Sequence, residues 1–178
     1  MKILGLVLFL LTTLSFNGLP QSDEIQSSKI TFKIKNAGIT VDGSFSDLKA
    51  EIRFDPNDLE NSKIRSSVSV SSIDTGIKMR DRDLQEKKYF YSEKFPRISI
   101  TSRKIKESGK DQYKGTFDLT IRDVTKAVEI PFVYIQKDKL RTFSGNFIID
   151  RRDFGVGGNS MILSDDVRVF IEVTTLKK

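Results

Sequence analysis

From Ser28 onward the chain alternates apolar and polar positions with a period of two. Ile30, Phe32 and Ile34 are interleaved with Lys29, Thr31, Lys33 and Lys35, the pattern of a strand with one dry and one wet face. Asn36-Ala37-Gly38 reads as a turn, and Ile39, Val41, Gly43 and Phe45 continue on a second strand. Leu48, Ala50, Ile52 and Phe54 make a third, closed by the turn cluster Asp55-Pro56-Asn57-Asp58. Ile64, Ser66, Val68, Val70 and Ser72 predict a long strand with Ser at two core-facing places, where each hydroxyl needs a partner or a cavity beside it. The alternation returns at Ile98, Ile100 and Ser102 and runs through Tyr113 to Ile121, Val128 to Tyr134, Phe143 to Ile149 and Val167 to Val173. Loops fall at Glu107 to Asp111, Arg122 to Thr125, Gln136 to Lys139 and Asp150 to Asn159.

One stretch, Ser71 to Leu84, breaks the alternation. It predicts a turn and a short charged helix, with Asp74 or Thr75 as the cap. Ile77, Met79 and Leu84 fall roughly on one helical face, and Arg80, Asp81, Arg82 and Asp83 mostly on the others. Tyr89, Phe90, Tyr91 and Phe95 follow, either as packing for the helix or as part of a ligand mouth. Short links between the strands imply antiparallel order, and a sheet of this size must close or fold over to hide its edges. The expected architecture is all-β: an antiparallel eight-stranded barrel with a short helical insert and room inside for one small ligand.

The apolar run Ile3 to Leu11 follows a single Lys2 and precedes small polar residues, which describes an export leader over 1–22, with the domain over 23–178. The run is shorter than the roughly 20 residues a membrane span needs. No Cys follows it to carry a lipid anchor. The reading is an exported protein, periplasmic or secreted, with no stable membrane span once the leader is gone.

Composition narrows the chemistry. The 178 residues contain no His and no Cys, which removes the commonest general base, the thiol nucleophile and most metal ligands. No metal site and no catalytic residue is assigned. Asp74, Asp81 and Asp83 lack the Gly and Glu of a calcium loop and have Arg80 and Arg82 between them. Gly155-Val156-Gly157-Gly158-Asn159 lacks the Gly-Lys-Ser/Thr ending of a phosphate loop. Asp150-Arg151-Arg152-Asp153 reads as charge pairs that pin a loop, with an anion site as the alternative. The net charge of +6 is spread without a basic run, so nucleic acid is not an expected partner.

Six segments, in order, are specific enough to place the chain. They are Phe32-Lys33-Ile34-Lys35-Asn36-Ala37-Gly38, then Val41-Asp42-Gly43-Ser44-Phe45, and Ile52-Arg53-Phe54-Asp55-Pro56. Ser72-Ile73-Asp74-Thr75-Gly76 with Arg80-Asp81 and Leu84 follows, together with Phe95-Pro96. The last two are Asp118-Leu119-Thr120-Ile121-Arg122 with Val124-Thr125-Lys126, and Asp150-Arg151-Arg152-Asp153-Phe154-Gly155. The chain resembles the YceI-like family of exported lipocalin-like proteins. The resemblance implies a lipocalin-like β-barrel with an extended internal cavity that binds a long amphiphile, such as a polyisoprenoid or a quinone-like chain, and no enzymatic activity. It departs from the family where Asp83 stands in place of a frequent His and Asp123 in place of a frequent Gly. Asp83 at a ligand's head would disfavour an anionic one.

The expected function is therefore to hold such a lipid for transport, storage or sequestration, with no cofactor beyond it. The apolar residues expected to line the cavity are Phe32, Ile34, Phe45, Val68, Val70, Ile77, Met79, Leu84, Phe90, Phe95, Ile100, Phe117, Phe132 and Phe147. Arg80, Asp83 and Arg151 are candidates for the head group. A barrel with a filled core that binds partners through its loops is the alternative, an enzyme using the Asp and Arg clusters a more distant one, and a homodimer is left open.

Overall fold

The computed structural model describes residues 23–177, so the leader read at 1–22 lies outside the described residues. In chain order the elements are β1 (Glu24–Asn36), β2 (Ile39–Phe45), β3 (Lys49–Arg53), β4 (Lys63–Ser69), a 3-10 turn (Val70–Ser72) and α1 (Lys78–Gln85). Then come β5 (Arg97–Gly109), β6 (Gln112–Ile121), β7 (Val124–Lys137), β8 (Leu140–Asp150), a second 3-10 turn (Arg151–Phe154) and β9 (Leu163–Leu176). Two-residue turns join β1 to β2, β5 to β6, β6 to β7 and β7 to β8. Each holds a residue at positive φ, namely Ala37 with Gly38, Asp111, Arg122 and Asp138, as tight hairpins require.

All the strands join one antiparallel sheet in the order β2-β1-β9-β8-β7-β6-β5-β4-β3. The outermost strands, β2 and β3, are neighbours in sequence. Asp47, at φ 53°, breaks what would otherwise be one strand. Its first half pairs with β1 and its second with β4, so the sheet curls round until its edges meet. Asp47 is held at the break by Arg97, which donates to its carboxylate and to its carbonyl at 2.8 Å each. With β2 and β3 as separate edge strands the sheet has nine strands, against the expected eight-stranded barrel; the antiparallel all-β class stands. Few backbone bonds cross the seam. Ser44 and Asp74 exchange a pair at 2.8 and 3.0 Å, and the Asp23 amide reaches the Ile52 carbonyl at 3.4 Å.

The interior has two tiers. At the end where β5 turns into β6, Phe54 packs against Tyr113, Phe143 and Tyr134 with ring centroids 5.0, 5.5 and 4.8 Å away. Phe132 completes the cluster, which fills this end of the barrel. Beneath it a buried ion pair staples the start of β1 to β8: Arg141 reaches Asp23 at 2.9 Å, and Thr175 of β9 donates to the same carboxylate oxygen at 3.1 Å. Arg141 also donates to the Phe54 carbonyl beyond the seam. The other end is not filled.

Candidate functional site

Toward the open end the inward rows of apolar side chains do not meet across the barrel. Ile30, Phe32 and Ile34 of β1 register with Ile171, Val169 and Val167 of β9, and all six face one cavity of about 630 Å³. That is within the size usual for small-ligand sites, roughly 300–1,000 Å³. Phe32 and Ile34 are only half-buried although they point inward, because no side chain comes from the far wall to cover them. Phe32 and Phe45 stand 5.6 Å apart, and Phe90, arriving from the segment after α1, meets Phe45 edge-on at 6.1 Å. Ser66, Ser67 and Ser99 on β4 and β5 give the wall small polar spots.

The mouth is set by α1. The helix has Ile77 at its N-cap with no side-chain cap, so neither Asp74 nor Thr75 caps it as expected. Asp74 instead accepts from the Gly76 amide at 2.9 Å, forming the turn into the helix. The docking group is Asp81. Its buried carboxylate takes the Thr75 amide at 2.8 Å and the Thr75 hydroxyl at 2.6 Å on one oxygen. The Thr75 hydroxyl bond holds the Asp81 pKa below the usual carboxylate range, with burial opposing it and the Thr75 amide adding to it. Arg80 closes the knot: its Nε donates to the Thr75 hydroxyl at 2.8 Å and its Nη2 to the Thr75 carbonyl at 2.6 Å. Arg80 thus stands fixed on the cavity wall beside Asp83, with Nη1 uncommitted among the described residues.

Ten of the fourteen apolar residues expected to line a cavity do face this one: Phe32, Ile34, Phe45, Val68, Ile77, Met79, Leu84, Phe90, Ile100 and Phe147. Four do not. Val70 falls where β4 gives way to the 3-10 turn and is packed away at 1 % exposure. Phe95 sits outside, against Tyr91 at 5.9 Å and under the Arg122 guanidinium at 6.0 Å. Phe117 and Phe132 point inward but lie in the filled tier. Alternation tells which face of a strand is inward and says nothing about depth along the barrel.

Arg80 and Asp83 are at the cavity, as is Arg151, but Arg151 has no hydrogen to offer a head group. Its five N–H groups go to the carbonyls of Ser164, Val156, Gly158 and Leu163 and to the Asp165 carboxylate. It pins the loop before β9, which is the loop-pinning reading of its charge cluster. That loop also approaches α1's end: the Gly157 amide bonds the Lys88 carbonyl at 2.9 Å. Gly157 has φ +74° and leaves a Cβ only 3.0 Å from the Tyr89 ring, so a side chain there has no room. Val167, Val169 and Ile171 of β9 line the cavity without having been among the expected residues, although they alternate as cleanly as β1 does. Asp81 was hidden among charges that looked solvated. Among the described residues no three carboxylates gather as a metal site would need.

The whole is a curled antiparallel barrel, plugged with aromatics at one end and with a largely apolar cavity at the other. The chain belongs to the YceI-like family, whose domain matches residues 22–175. A UPF0312 protein of Photorhabdus laumondii is 35% identical over 104 residues, covering 58% of this chain and 54% of its own length, so the match spans about half of that relative. The crystal structure of BcnA from Burkholderia cenocepacia superposes with a TM-score of 0.81 at 26% identity, covering 85% of this chain and 98% of BcnA. A domain from Saccharophagus degradans, described as polyisoprenoid-binding and implicated in plant cell wall breakdown, shares the fold with a TM-score of 0.71 at 12% identity, covering 88% of this chain and 98% of that domain.

Proposed function

We propose that the protein binds one long amphiphile, a polyisoprenoid or a quinone-like lipid, with its tail in the barrel and its head at the mouth near Arg80. The observation that carries this is the cavity itself: about 630 Å³ lined mainly by Ile, Val, Leu and Phe side chains, with the polar groups of its wall in the minority. Burying a tail there gains about 0.8 kcal/mol for each CH₂ removed from water, with no catalytic group required. The fold shared with a domain described as polyisoprenoid-binding favours the same class of ligand. The filled-barrel alternative leaves this hollow tier without a purpose. Binding rather than catalysis is the role, serving transport, storage or sequestration. The export leader at 1–22 favours a periplasmic or secreted location.

A displacement titration tests the reading. A fluorescent fatty probe bound to the protein should be released by an isoprenoid quinone at one molecule per chain. Probe that never binds, or that the quinone leaves in place, contradicts it.

A further inference from the structure

Among the described residues, large apolar side chains lie open to solvent in two places. Val133, Ile135, Leu140 and Ile148 are on the outer face of β7 and β8. The other group surrounds the cavity mouth. Ile77 and Met79 border it from α1 and Ile162 from the loop before β9. Met161 beside Ile162 is fully exposed, and Ile39, at the β1–β2 turn, is 71% exposed. The Ala37 amide bonds the Ile162 carbonyl at 2.7 Å, so that turn and that loop form one continuous edge of the rim.

Cations flank the same edge. Lys35, Lys78, Arg82 and Lys88 make no ion pair among the described residues. With the exposed Lys87 they outnumber the exposed acids of the same segments, Asp74, Asp83 and Glu86, while Asp81 is buried against Thr75. Exposed Met and Ile gain nothing in water, and a rim of them is an apolar surface in want of cover. Here the rim runs without a break into the apolar cavity. Apolar side chains backed by Lys and Arg match the acyl boundary and the phosphates of an anionic bilayer.

We propose that this rim is a membrane-docking surface: Ile39, Met161 and Ile162, with Ile77 and Met79, enter the interface of an anionic phospholipid membrane. Docked in this way, the cavity mouth opens onto the acyl layer, and a lipid tail passes between bilayer and barrel without crossing water. The proposal rests on the cavity being a lipid site, and its test separates the two.

The experiment is co-sedimentation with vesicles of phosphatidylcholine alone and of phosphatidylcholine with phosphatidylglycerol, alongside uptake of a water-soluble fluorescent fatty probe. The double variant Ile39→Glu/Met161→Glu alters the rim at two residues outside the cavity lining. Wild-type protein should bind the anionic vesicles, and high salt should weaken that binding by screening the surface charges. The double variant should lose vesicle affinity about tenfold or more, equivalent to about 1.4 kcal/mol, and take up the probe as wild type does. Ile135→Glu, on the outer face of β7, should change neither. Wild-type protein that ignores anionic vesicles overturns the proposal, as does a double variant that binds them normally. A wild-type dimer that the double variant dissociates, with no vesicle binding by either, assigns the rim to a second copy of the chain instead. Vesicle binding without probe uptake supports the rim and overturns the cavity reading.

Discussion

The ring of Phe32 fills the space that a side chain on its cross-strand partner Gly43 would need. A Cβ at Gly43 would stand 2.2 Å from the Phe32 Cζ. The bare glycine lets the ring lie back against β2 and leaves the cavity open. Gly43→Ala should push the ring into the cavity. The expected result is weaker ligand binding, by roughly tenfold, with a loss of about 1–3 kcal/mol in stability from overpacking. Probe titration and urea unfolding measure the two effects; unchanged affinity would mean that the ring is not part of the working wall.

The filled tier should be separable from the hollow one. Phe54 is 3 % exposed, touches four other rings and lies outside the cavity lining. Phe54→Ala should cost about 3–5 kcal/mol in urea unfolding, while the protein that remains folded binds the probe with near-normal affinity. A large loss of affinity with little loss of stability would reverse the roles of the two tiers.

The two arginines at the mouth should behave oppositely. Arg151 spends all five N–H groups on its own loop and the start of β9. Arg151→Ala should destabilise by about 1–3 kcal/mol or more, since it strands buried carbonyls, while the part-exposed Asp165 keeps its pair with Arg152. Arg80 keeps Nη1 uncommitted among the described residues, so Arg80→Ala should weaken binding of an amphiphile with a hydrogen-bond-accepting head more than that of a plain hydrocarbon probe. Equal losses for both ligands would remove Arg80 from head-group contact.

Ionisation sets the pH limits of the fold. Hydrogen bonds hold three carboxylates below their usual range: from Arg97 to Asp47, from Thr75 to Asp81 and from Arg103 to Asp118. Their stabilisation is complete above the ordinary carboxylate pKa, near 4, and is lost as pH falls through the lowered values. Burial raises Tyr113 and Tyr134. Their contribution is complete below the ordinary tyrosine pKa, near 10, and is lost as pH rises through the raised values, because the unfolded chain ionises first. Circular dichroism and tyrosinate absorbance should therefore change together in alkali. Ionisation of Tyr113 and Tyr134 at an ordinary pKa while the fold stays intact would contradict the burial argument.

Strand faces were legible in the sequence because alternation is enforced by the pleat, and Phe32, Ile34, Phe45 and Phe147 followed from it. Depth was not legible. Phe132 and Ile34 read alike on their strands, yet one plugs the barrel and the other lines its cavity. Only the register between strands, set by turns such as Ala37-Gly38, distinguishes them. The break between Phe45 and Leu48 was legible as the end of one alternating run and the start of the next, but its clamp was not, since Arg97 lies 50 residues away from Asp47. Arg151 looked available for a ligand because carbonyl acceptors leave no mark in a sequence. The Asp81–Thr75 bond was invisible for a related reason: a short helix of mixed charges gives no sign of which carboxylate it buries.

The most direct test is native mass spectrometry of the protein purified from its own compartment, followed by lipid extraction. The expected result is one isoprenoid-type lipid retained per chain, and its loss when Ile100→Trp fills the cavity of a still-folded barrel. A ligand-free wild-type chain that also fails to take up an added isoprenoid would contradict it.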